Sequence, residues 1–127
     1  MEKIDPIVIP NVCFTLEPSD PKYIEQRKQN GFDETETWNL YRTVVHFVAP
    51  RLRMFVERIT INEEFPCGYY KCFKDWVNDL TFVLNNFEEM TNVEKKANFT
   101  DIWDEANADN YRKAMELFGK ILPHLWD

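Results

Sequence analysis

The chain has 127 residues, with 22 acids against 15 lysines and arginines, 44% hydrophobic and 15% aromatic residues. That is enough apolar surface for one packed domain and too little chain for a second core. The formal charge of −7 speaks against direct binding to a nucleic-acid backbone, which gains affinity from clustered cations.

Residues 1 to 20 hold Pro6, Pro10 and Pro18 around short apolar stretches and read as an extended N-terminal arm. No basic segment followed by an apolar core opens the chain, and no run approaches the ~18 uncharged residues of a membrane span, so no export or membrane insertion is expected. Residues 21–127 read as a single helical domain. Ser19 or Asp20 caps a first helix over residues 21–30, with Pro21 in its first turn and Gly31 just past its end.

After the acidic stretch Asp33-Glu34-Thr35-Glu36, the positions Trp38, Tyr41, Val45, Val48, Leu52, Phe55 and Ile59 recur at alternating spacings of 3 and 4. At 100° per residue they form one helical seam. Pro50 removes a hydrogen bond to the His46 carbonyl, so a kink or a pair of consecutive helices is expected there. The connector from Thr60 to Gly68 leads to a second periodic stretch over residues 70–90, with Phe73, Trp76 or Val77, Leu80, Val83 or Leu84, Phe87 and Met90 in the same rhythm. Thr91-Asn92-Val93-Glu94 has capping-box spacing and suggests a new short helix. Asp101 to Asp109, with Trp103, reads as a loop or short helix, and the last helix covers residues 110–122, ending near Pro123. The fold class is mostly α: a compact bundle of three long amphipathic helices plus short ones. Its seams close within one chain or pair two chains as a homodimer.

Composition excludes several chemistries. Ser19 is the only serine and lies in a turn-forming Pro-Ser-Asp-Pro run, not a nucleophile elbow. Gly31, Gly68 and Gly119 are too far apart to cradle a phosphate as a P-loop or dinucleotide fingerprint does. Cys13, Cys67 and Cys72 contain no Cys-x-x-Cys, and only His46 and His124 could join them at a metal. Buried or idle thiols in a reducing, cytoplasmic setting are the better reading. Asp101, Asp104, Glu105 and Asp109 lack the glycine and terminal glutamate of a calcium loop. No catalytic residue, metal or cofactor is assigned, and the chain reads as a non-enzyme.

Two patterns remain as candidates for binding. Residues 61–127 carry a net charge of −6, and such a negative face steers a basic partner as readily as it keeps a protein soluble. Glu88, Glu89, Asp101, Asp104 and Glu105 are its candidate contacts. Separately, Arg42, Arg51, Arg53 and Arg58 flank the Trp38 to Ile59 seam, and with Trp38, Tyr41 and His46 they form a plausible grip for a nucleotide phosphate and base. The plainer role of these arginines is to pair with acids on neighbouring helices while their stems cover the core rim.

Trp38-Asn39-Leu40 through Ala49-Pro50-Arg51-Leu52, then Trp76, Phe87-Glu88, and Leu117-Phe118-Gly119-Lys120 through His124-Leu125-Trp126-Asp127 resemble a family of small helical proteins encoded by bacteriophages and prophages. The resemblance covers residues 33 to 127. It implies a phage context in the cytoplasm of a bacterial host, where small non-catalytic proteins interfere with host machinery or immunity. The expected function is therefore a phage-type binding protein, a counter-defence inhibitor that masks a basic surface on a host or phage protein. The alternative is a non-catalytic sponge that sequesters a nucleotide signal at the arginine and aromatic cluster.

Overall fold

A computed structural model describes residues 18–38, 40–96 and 107–126. These are mostly helical, with no strand among the described residues. Four α-helices follow in order: α1 (Pro21–Asn30), α2 (Leu40–Ile61), α3 (Phe73–Lys96) and α4 (Ala108–Ile121). A 3-10 turn at Glu34–Thr37 precedes α2 and another at Leu122–His124 follows α4. No helix among the described residues is long and apolar enough to cross a membrane. The expected arm over residues 1–20 lies outside the described residues up to residue 17, as do Trp103 and the acidic stretch up to residue 106. The chain divides into two compact units, with the boundary between Phe47 and Val48.

In the first unit, α1 starts where Asp20 accepts a hydrogen bond from the Lys22 amide at 2.8 Å and Pro21 presets the first turn. It stops at Gly31, whose φ of 81° is left-handed and whose N–H donates to the Arg27 carbonyl at 2.9 Å. The one buried residue of α1 is Arg27, so this helix is held by a charge instead of an apolar stripe. Its guanidinium pairs with Asp33 and donates a second hydrogen bond to the Pro18 carbonyl at 2.7 Å. Asp33 in turn caps the 3-10 turn by accepting from the Thr35 amide at 2.9 Å and from the Thr35 hydroxyl. The box closes when the Asp33 amide donates to Glu36 at 2.9 Å. Burial pushes the Glu36 carboxyl above the usual carboxylate range.

Trp38 does not share the seam expected of it. It is 53% exposed, with its ring edge-on to Tyr23, because the 3-10 turn ends the α-helical phase before α2 begins at Leu40. Val45, Leu52 and Ile59 are buried as the 3-and-4 rhythm requires. Pro50 does not divide the chain into two helices: α2 runs through it, with the proline itself exposed.

The second unit is a helical bundle whose core is Leu52, Ile59, Trp76, Leu80, Val83, Phe87, Met90, Tyr111, Ala114 and Ile121. α3 packs on α4 through the Phe87 and Phe118 rings, 5.3 Å between centroids. Glu89 on α3 reinforces that contact by accepting from Asn107 at 2.6 Å and from the Tyr111 hydroxyl at 3.0 Å. Thr91 does not begin a new helix. Its hydroxyl donates back to the Glu88 carbonyl at 2.7 Å, so Thr91 to Glu94 continue α3.

Candidate functional site

Among the described residues of the second unit, a cavity of about 200 Å3 lies at the C-terminal end of α2. Ile59 and Trp76, both almost fully buried, form its base, and Phe55, Phe65 and Pro66 are half-buried around it. Glu64, His124 and Trp126 complete the lining, with Trp126 76% exposed. Five of the eight lining residues are aromatic, counting His124, and the lining holds a carboxylate but no lysine or arginine.

The segment between α2 and α3 is shaped by local hydrogen bonding. The Glu64 amide donates to the Ile59 carbonyl at 3.0 Å and the Glu63 amide to the Thr60 carbonyl at 3.4 Å. This is the paired closure of a Schellman motif, which places Glu63 at the position that glycine usually fills. Glu63 accordingly has φ of 50°, a left-handed conformation in which a side chain costs about 1–2 kcal/mol. Glu63→Gly is expected to raise stability by roughly 1 kcal/mol, read as a higher urea midpoint at unchanged slope. The same closure turns the backbone so that the next residue, Glu64, reaches the cavity.

Two tyrosines pin the rest of this segment. The amides of Tyr69 and Tyr70 both donate to the Pro66 carbonyl, at 2.9 and 3.0 Å. Tyr70 donates its hydroxyl to Asp79 at 2.6 Å and lays its ring 4.9 Å from that of Trp76. Burial first, and then the hydrogen bond to Asp79, hold the Tyr70 phenol above its ordinary pKa. Tyr69 stacks on His124 with centroids 3.8 Å apart, joining the segment to the 3-10 turn after α4. Cys67 and Cys72 in this segment are free and exposed, so of the two readings, buried or idle, burial does not hold for either of them.

The acidic candidates divide. Glu88 receives two hydrogen bonds from the Arg53 guanidinium, the Nε contact at 2.6 Å, and Glu89 braces α3 against α4. Both therefore have structural partners. Asp101, Asp104 and Glu105 lie outside the described residues. The arginine candidates divide as well. Trp38, Tyr41, Arg42 and His46 belong to the first unit, Arg51, Arg53 and Arg58 to the second. Arg53 is engaged by Glu88, which raises its pKa above the ordinary value through the shared hydrogen bonds and leaves a phosphate to compete with a carboxylate already in place.

By spacing, Phe55 and Trp76 read as core and residues Thr60 to Gly68 as a connector, so neither Glu64 and Phe65 within it nor Trp126 stands out as part of a site. The available signal was aromatic density in a loop, with Phe65, Tyr69 and Tyr70 in six residues, and a tryptophan beyond the helix-ending Pro123. Among the described residues no group of three or more His, Cys, Asp or Glu side chains gathers as a metal site. No family model matches the chain, and neither a curated protein nor a solved structure matches it.

Proposed function

We propose that this is a non-enzymatic binding protein of the phage type, an inhibitor that covers a basic surface on a host or defence protein and so acts in counter-defence. The observation that carries this reading is the net charge of −6 concentrated in residues 61–127, beside zero in residues 32–60. An excess of one sign in one part of a small chain steers an oppositely charged partner and suppresses wrong ones. The internal roles of Glu88 and Glu89 shift the expected contacts toward Asp101, Asp104 and Glu105.

The test is capture of a partner from a bacterial lysate on the immobilised full chain at low and high ionic strength. A specific protein retained at low salt, released at high salt and lost on joint charge reversal of Asp101, Asp104 and Glu105 is the expected result. Retention that ignores both salt and charge reversal, or no retained protein, overturns the electrostatic reading.

A further inference from the structure

We infer that the aromatic cavity at the C-terminal end of α2 is an anchor site for an arginine side chain of the partner protein. This deepens the proposed function and rests on it, since it names the group by which a basic surface would be held. The cavity volume of about 200 Å3 is below the roughly 300–1,000 Å3 of pockets that enclose drug-sized ligands, so the space suits one side chain and not a nucleotide.

Chemistry then selects among side chains. Phe55, Phe65, Trp76 and Trp126 offer π faces, whose negative quadrupole attracts a cation and attracts arginine most often. Glu64 supplies the only fixed charge of the lining, and with no lysine or arginine there to neutralise it, the complementary occupant is positive. Guanidinium meets both demands together, because it is planar, stacks on aromatic faces, presents a fork of donors to a carboxylate, and sheds water more readily than ammonium. Glu64 is exposed, so it stays hydrated in the free protein and is accessible to an incoming guanidinium.

The exposure of the rim supports the same assignment. Trp126 is 76% exposed although tryptophan, with tyrosine and arginine, is enriched among buried interface anchors. That exposure is explained if an arginine inserts between Trp126 and Glu64 on binding.

Titration of the 15N-labelled full chain with the capped peptide Gly-Gly-Arg-Gly-Gly, observed at the Trp126 indole N–H, tests this directly. The controls carry lysine, citrulline or norleucine in place of arginine. The arginine peptide is expected to give a saturable shift, with citrulline, nearly isosteric but uncharged, about tenfold weaker. Glu64→Gln should weaken arginine binding about tenfold and narrow its advantage over citrulline to what the aromatic faces supply, and Trp126→Ala should weaken all of it, both variants keeping the parent circular dichroism and melting temperature. Equal binding of norleucine means an apolar groove, and tighter binding of lysine means a different cation; either overturns the assignment. No saturable shift with the arginine peptide, while the lysate partner is still held in a salt-sensitive way, overturns the anchor and leaves the acidic-surface reading standing. Loss of both removes the two together.

Discussion

Arg27→Ala is expected to destabilise the protein by about 3–5 kcal/mol, because it leaves the Asp33 carboxylate buried with its counter-charge gone. Arg27 and Asp33 are 1% and 0% exposed, so water cannot replace the missing guanidinium. The loss spreads through shared atoms: the Pro18 carbonyl loses its donor, and Asp33 is the cap on which the Glu34–Thr37 turn depends. Small domains are stable by about 5–15 kcal/mol in total, so this one change takes a large part of it. Arg27→Lys should recover little, since a single ammonium cannot reach both Asp33 and Pro18 in the geometry of the fork. Urea denaturation followed by circular dichroism gives the magnitude, and amide exchange across residues 21–30 shows whether α1 opens first. A cost below about 1 kcal/mol would mean the pair is exchangeable with solvent.

Phe87→Ala is expected to cost a similar amount, about 3–5 kcal/mol, for the opposite chemical reason. Phe87 is fully buried and packs on Phe118, so its loss removes apolar contact and leaves a cavity between α3 and α4. Here a conservative replacement should help: Phe87→Leu keeps most of the buried volume and ought to restore more than half of the loss. Trp76→Ala belongs to the same class, and because Trp76 forms the base of the aromatic cavity it should also abolish the binding expected there. The contrast between a rescuable Phe87 and an unrescuable Arg27 is itself measurable in one set of denaturation curves.

These two residues mark what was legible in the sequence and what was not. Phe87, Trp76, Leu80 and Met90 announce themselves by spacing, because a helix repeats every 3.6 residues and burial follows that repeat. The ends of α1 were equally plain, since Asp20, Pro21 and Gly31 each act through the backbone within a few residues. Arg27 carried no such mark. Its burial depends on Asp33, six residues away and across Gly31, and no periodicity connects a helical arginine to the cap of the following turn. Thr91 misled for a related reason: the same hydroxyl that can start a helix can also bond backward within one. The cavity was illegible as a whole, because its lining comes from α2, from the loop after it, from α3 and from the chain beyond α4, and each piece alone reads as core or connector.

That dispersal also bears on the order in which the chain acquires its properties. Phe55 and Trp126, which face the same cavity, are 71 residues apart in sequence, whereas the hydrogen bonds that form the helices span only four residues. Closing a long loop loses more chain entropy than closing a short one and contributes to slower folding. Helical signal should therefore return early on dilution from urea, while the environment of Trp126 matures only in the last step, when the C-terminal turn meets the segment after α2. A chain that is helical but not yet closed would have its acidic charge and no formed cavity, so arginine binding at the proposed anchor, tested during refolding, should return with the Trp126 signal and not with the helical one.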